Sequence, residues 1–444
     1  MAIAVHSKNL QIFNAEQFVE SVSEPANTKI YLTFGRSEAW ANDAAPLQAN
    51  ASVSSANEVW ANMIGGKRIT GNDIRHVIPR YDWTLNGNYP AYDHCTCAVD
   101  PATANAPFYV LTSDYNVYKC LANNHGGVSS IMPTRLDTSG VISESDGYIW
   151  KYMYTVSPAE QLKFTTASYI PVKTLTADDN SLQWTVQENA IHGGIEVVRV
   201  INAGTGYTSN SNISIKISGD GVGANAFAQI NSISNTISTI YVDNPGTGYT
   251  YANVTITTTG AGSNASFRAI IPPPEGHGSD PISELGGSFL MLNPRIQADE
   301  SGVLLTNHEY RQISIMRDPS FYGTSTISSN TVFSQVTRCV VSGASADYVA
   351  NEAVYQGTNI DTATFKARVV EWDSANGTIM LSNVVGTPSS DILIGINSGA
   401  TRFVNSVTNP DMKAYSGKLL YIDNISSIER STDQTEDFKI VLKF

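Results

Sequence analysis

Five side chains that bind soft metal ions crowd one stretch of the sequence: His94, Cys95, Cys97, Cys120 and His125. Zinc takes such thiolate and imidazole donors, usually through a Cys-x-x-Cys pair. The spacing here is Cys-x-Cys, and an unpaired cysteine behaves as a small buried hydrophobe. Cys95 and Cys97 point to one side of an extended chain and lie too close along it for an easy bridge. All four cysteines are therefore read as free, buried thiols, with no metal and no cofactor. His277, Ser279 and Asp280 supply the residue types of a hydrolase triad, but triads assemble from distant segments, and this glycine-rich run reads as a turn. Asp220 could give a carboxylate to calcium, yet the alternating Asp/Asn ligands of a calcium loop are missing. The pattern Gly219-x-Gly221-x-Gly223 lacks the following helix and acidic partner of a phosphate cradle. Glu196, Asp243 and Glu371 are too scattered to form the carboxylate pair of a glycosidase. None of these groupings makes an enzyme.

The elements that must position these side chains are mostly short strands. Charged residues make up 15% of the 444 residues, against roughly 25% in an ordinary globular domain, while Ser, Thr, Asn and Gly separate brief apolar runs. The length suits about two or three domains, each with its own core. A net charge of -13 without a Lys/Arg cluster argues against nucleic-acid binding. The N-terminal residues lack a secretory pattern, and no apolar run approaches the ~18 residues of a membrane span, so the chain is expected to fold in a cytosol.

One helix is expected at the start, with Asn14 as its cap, Gln17 completing a capping box, Ala15, Phe18, Val19 and Val22 on one face, and Glu24-Pro25 as its end. A second is expected around residues 57–63. Strands are expected at 28–34, 108–111, 117–120, 148–156 and 313–316. Between 191 and 275 the sequence duplicates itself: Asn202-Ala-Gly-Thr-Gly-Tyr-Thr208 returns as Asn244-Pro-Gly-Thr-Gly-Tyr-Thr250, 42 residues later. Each copy reads as a three-strand unit with glycines at turns and a tyrosine closing a small core, the two units packing face to face. Glycine and proline at both boundaries lead to the expectation that this module can be removed whole. A second module at 331–408, with turns at Asn376-Gly377 and Ser398-Gly399, reads as a small barrel or curled sheet. At the C-terminus Phe438, Ile440, Leu442 and Phe444 alternate with polar or smaller residues, the pattern of a half-buried interior strand.

Several blocks carry a family resemblance. Tyr31-Leu-Thr-Phe-Gly-Arg-Ser-Glu-Ala-Trp40, Ile78-Pro-Arg-Tyr-Asp-Trp83, Asp146-Gly-Tyr-Ile-Trp-Lys-Tyr152, Tyr310-Arg-Gln-Ile-Ser-Ile-Met316 and a tail with Asp433-Gln-Thr-Glu436 together resemble, in their order, the small dimeric wedge subunit of the baseplate of contractile-tailed bacteriophages. The resemblance covers roughly 8–186, 277–319 and 411–444. It implies a structural protein of the virion tail baseplate, assembled in the host cytoplasm, that forms a homodimer and binds neighbouring wedge proteins. The expected fold is mainly β: a multi-layer β-sandwich core with a few short helices, built from 1–190, 276–330 and 409–444, with small β domains inserted at 191–275 and 331–408. Phe34, Arg36, Trp40, Arg80, Tyr81, Asp82, Trp83, Tyr148, Trp150, Arg311, Gln312, Asp433 and Gln434 are the expected interface or structural-motif residues, with Arg36 beside Glu38 and Arg80 beside Asp82 as fixed pairs. The alternative is a host-surface adhesin whose Tyr207, Tyr249, Tyr251 and Trp372 stack on glycan rings.

Overall fold

The computed structural model describes residues 7–24, 28–95, 108–208 and 212–444. The fold is mainly β, with antiparallel sheets, one closed barrel and five α-helices among the described residues. The chain divides into two compact units: Met1–Gln17, Arg75–Met291 and Val441–Phe444 in the first, Phe18–Ile74 and Leu292–Ile440 in the second.

In the first unit, one sheet orders Tyr109–Leu111, Asn116–Asn123, Tyr148–Thr155 and Ile142–Ser143. Its central strands show no polar alternation because both of their faces are buried, each against a different core. Val117, Leu121 and Met153 join one apolar cluster, whereas Tyr118, Cys120, Tyr148, Trp150 and Tyr152 join another. That double burial gives the unit its layers. A second sheet runs Ile440–Lys443, Phe289–Leu292, Ile74–Pro79 and Tyr169–Pro171. The C-terminal strand is thus terminal in its sheet, not interior. Ile440 is buried and Val441 packs on the Val77, Phe164, Phe289 and Met291 cluster, so neighbouring residues are buried on both faces and strict alternation fails.

The duplicated segment forms a four-stranded sheet, Asn225–Asn231, Thr236–Asn244, Val197–Thr205 and Ser263–Ile270, and a two-stranded one, Ile213–Gly219 with Ala252–Thr258. The copies do not stack as separate units. They interleave, the first strand of each copy pairing with the third of the other and the two middle strands with each other. Val198 pairs with Ile240, its own equivalent 42 residues on, so the two copies meet about a local two-fold axis. Interleaving satisfies more backbone and buries one shared core, which a three-strand unit lacks alone. Tyr207 and Tyr249 close that core as their spacing predicts. The first glycine of each repeat, Gly204 and Gly246, has φ of +63° and a backbone neighbour within 2.5 Å of where a Cβ would sit.

The second unit holds a five-stranded antiparallel sheet, ordered Val332–Ser334, Met63–Ile69, Ile30–Gly35, Glu309–Arg317 and Lys418–Glu429. Helix Val53–Asn62, capped by Ser52, seats Val59 and Trp60 against Tyr31, Met63, Met316, Phe333 and Met412. It begins earlier than expected, and Met63 already opens a strand. The 331–408 region contains a closed six-stranded barrel around Cys339, Val354, Phe365, Val369, Leu381 and Leu393. Gly377 and Gly399 stand at left-handed turn positions with φ of +59° and +68°.

The first helix spans Lys8–Ser23, so Asn14 lies mid-helix. Ser7 serves the first turn, its Oγ accepting from Leu10 N at 3.3 Å. The capping-box match at Asn14 and Gln17 hid the true start, although Ile12 already lies on the buried face. Pro25 and Cys97 lie outside the described residues.

Candidate subunit interface

The expected interface residues fall in three places, and most turn their functional groups inward. Around the start of strand Glu309–Arg317, Arg311 is buried and gathers three acceptors: Ser37 O at 2.6 Å, Asp43 Oδ2 at 2.9 Å and the Glu309 carboxylate. Its neighbour Gln312 donates to Asn424 Oδ1 at 2.8 Å. Arg36 sits at φ of +61° with its guanidinium 3.7 Å from the Trp40 ring, and the Trp40 indole donates to Ile425 O at 3.1 Å. Glu38 pairs with Arg368 at 3.2 Å, not with the adjacent Arg36. Phe34 is fully buried against Tyr310, His308 and the Arg430 guanidinium.

The second place is the Arg80 to Trp83 stretch with Tyr148 and Trp150. Arg80 does pair with Asp82, at 2.8 Å, and also donates to Thr166 O at 3.2 Å. Backbone bonds from Tyr81 and Trp83 flank Leu111. The Tyr81 ring meets Tyr109 edge-on, and the Trp83 indole donates to Ser129 Oγ at 3.1 Å. Tyr148 and Trp150 stack 5.3 Å apart inside the core, where the Tyr148 hydroxyl donates to Gly127 O at 2.7 Å. Asp433 and Gln434, in the third place, accept bonds from Ser431 in a turn. The residue that fixes this turn was missed by sequence reasoning. Arg430 is buried, donates to Glu436 Oε2 at 2.9 Å and to the Leu305 and Ala298 carbonyls at 2.5 Å each. Its six-residue spacing from Glu436 was the available signal.

The chemistry candidates are rearranged. Cys120 and Cys339 are buried thiols, but Cys95 is exposed, against expectation, because it sits in a surface turn whose N–H bonds Asp93. Asp93, His94 and Cys95 have donor atoms close enough to face one ion, yet Asp93 is held by Arg199 and Arg268, whose charges oppose a cation there. His277 is not in a simple surface turn but fully buried, with Nδ1 3.0 Å from Lys119 Nζ. Burial holds that imidazole neutral, its pKa well below the ordinary value, and the Lys119 and Lys151 charges push the same way. Glu196 is not isolated either: it pairs with Lys151 at 3.0 Å. Asp220 accepts from Thr250 and Tyr251, which is turn chemistry as expected. Of the four rings proposed to stack on sugars, Tyr207 and Tyr249 are core, Trp372 is partly exposed and touches Tyr348 and Arg402, and Tyr251 is 63% exposed. Two of the four are thereby taken up by the core.

An open apolar feature lies in the second unit. Strand Lys418–Glu429 ends its sheet, with no strand among the described residues on its other side. A groove of about 310 Å³ runs between residues 49–52 with Ala56 and residues 419–422. Leu420 is 42% exposed, and Leu47 and Val53, which flank the opposite wall in sequence, are 77% and 78% exposed. Farther along the strand the Trp40 indole already caps the Ile425 carbonyl. Among the described residues no helix is long and apolar enough to cross a membrane.

Comparison with known proteins gives this geometry a context. The family model for Gp8 of bacteriophage T4 matches residues 4–132 and 121–244. The match takes in Phe34, Arg36, Trp40, Arg80 to Trp83, Tyr148 and Trp150, and continues into the duplicated segment, which the resemblance had placed outside the family. A relative, the baseplate wedge protein gp8 of Enterobacteria phage T4, is 28% identical over 184 residues, covering 34% of this chain and 54% of that protein. The match thus spans about half the length of that relative. With over half of its 444 residues matched by the family model, the chain belongs to the phage Gp8 family.

Proposed function

We propose that this chain is a structural subunit of a phage tail baseplate wedge, working through binding alone and without a cofactor. Family membership carries the reading. It is supported by the way the family-like blocks are used: their arginines and aromatics hold loops and layers in fixed positions, as a scaffold subunit needs. The chain forms a homodimer and binds neighbouring wedge proteins, holding the outer part of the wedge to its inner scaffold and passing on the rearrangement that triggers sheath contraction. Its place is the virion tail baseplate, reached by assembly in the host cytoplasm.

The second copy docks along residues 419–422 and the adjoining groove, where Leu420 and Leu47 are exposed and the sheet ends without a described strand beyond it. Arg36, Trp40, Arg80, Tyr81, Asp82, Trp83, Asp433 and Gln434, partly or fully exposed, are the members of the set left to meet neighbours, while Phe34, Tyr148, Trp150, Arg311 and Gln312 act by preserving shape. The 191–275 and 331–408 regions are modules set into a core of 1–190, 276–330 and 409–444. Light scattering of the purified chain tests the dimer. Two copies are expected, falling to one in a Leu420→Arg variant that melts like the parent; a monomeric parent would remove this part of the reading.

A further inference from the structure

The duplicated segment begins with strand Val197–Thr205 and ends with Ser263–Ile270, both within the first unit. Like charges face each other on both sides of that junction, fully buried on one side and partly exposed on the other. On one side Lys119 and Lys151 are direct cross-strand partners on Asn116–Asn123 and Tyr148–Thr155, each with 0% side-chain exposure. Two ammonium groups opposite one another in a dry sheet repel, and neither has water to solvate it. One counter-charge comes from the duplicated segment and the other from the helix that follows it. Glu196, one residue ahead of the outgoing strand, takes Lys151 at 3.0 Å, and Glu284, beyond the returning strand, takes Lys119 at 2.6 Å. Glu284 is fixed in turn by the Gly278 and Asp280 N–H groups at 2.7 and 3.2 Å.

The other side mirrors this arrangement. Arg199 and Arg268 are direct cross-strand partners on the outgoing and returning strands. The carboxylate that serves both is Asp93, which lies outside the duplicated segment. Arg199 also donates to the Leu121 carbonyl at 3.2 Å, on the same strand that carries Lys119. Val197 and Ile270 complete the junction by entering the cluster of Tyr109, Leu121 and Met153.

We propose that these reciprocal charge clamps make the duplicated segment an integral part of its unit and not a removable insert. Each half carries a pair of like charges: the duplicated segment supplies Glu196 to the buried Lys151, and Asp93, outside the segment, serves both of its arginines. Cutting the segment out, which the boundary turns invite, would leave Lys151 buried without its carboxylate. The duplicated sheets and the Asn116–Asn123 and Tyr148–Thr155 strands therefore open and close as one cooperative body, and a displacement of one carries the other with it.

Hydrogen exchange on the full chain tests this, comparing the parent, Glu196→Gln, and the double variant Lys151→Met with Glu196→Leu. Removing one partner of a buried ion pair is costly, whereas replacing both by apolar groups is far less so, which sets the expected acceleration in Glu196→Gln at about a hundredfold or more. The acceleration should be equal in the strands of the duplicated segment and in Asn116–Asn123 and Tyr148–Thr155, and the double variant should restore slow exchange to both. Acceleration confined to one side, or none, would overturn the proposal. Should Glu196→Gln fail to fold, recovery of a folded double variant supports the clamp and its failure contradicts it.

Discussion

At Arg311 one guanidinium ties strand Glu309–Arg317 to the loop carrying Ser37 and Asp43. Lysine keeps the charge but cannot reproduce the fork, so Arg311→Lys should cost about 1–3 kcal/mol in chemical denaturation, with the denaturant slope unchanged. The carboxylates of Asp43 and Glu309 are partly exposed and would rehydrate, which keeps the loss from being larger. His308 makes a pH prediction. Its ring is buried and lies near the Arg430 charge, and burial chiefly, with that charge, depresses its pKa from 6.5 to about 4, although the Glu309 and Leu305 carbonyls pull the other way. The folded state thus refuses a proton that the unfolded chain accepts below about pH 6.5. His308 contributes no penalty above that pH, and stability is lost progressively as pH falls from 6.5 toward 4, by up to ~3 kcal/mol. A His308→Asn variant should show a flatter decline than the parent in melts over this range; parallel curves would assign the acid sensitivity elsewhere. The Arg80 to Asp82 pair was legible because both partners sit on one short stretch. The Arg311 contacts were not, since Asp43 lies 268 residues away.

Among elements, the strands and repeats were the most legible and the packing faces the least. Turn glycines and alternating runs announced the duplicated strands, but not that the copies exchange partners, because pairing between copies uses the same apolar residues as pairing within one. The buried lysines of Asn116–Asn123 and Tyr148–Thr155 were hidden for a related reason: in a strand whose faces both meet a core, a lysine reads as the solvent side. The helix start was missed because Asn14 and Gln17 matched a capping box inside the helix, while the buried face already begins at Ile12. Gly246→Ala tests the repeat directly. At φ of +63°, with the Ala224 N and Val222 O atoms 2.5 Å from the new Cβ, the change should destabilise by about 1–3 kcal/mol, and Gly204→Ala should match it if the two-fold arrangement holds. The C-terminal element gives a second test. Phe438 is buried beside Tyr310, so Phe438→Ala should cost ~3–5 kcal/mol; a thermal melt close to the parent's would show that the terminal segment is dispensable.

For the whole molecule, the order of the sequence blocks pointed to the family, while composition excluded alternatives without naming a function. What one chain could not reveal is which surface meets which neighbour, because side chains at an interface and side chains in a core are chemically alike. The central claim is that this protein is a paired subunit of the baseplate wedge. A cryo-electron microscopy reconstruction of the baseplate of the virion that incorporates this chain tests it most directly. Density for two copies is expected in each wedge, meeting through residues 419–422, with the duplicated sheets packed on strands Asn116–Asn123 and Tyr148–Thr155. Baseplates that lack the chain, or that hold it as single copies, would contradict it.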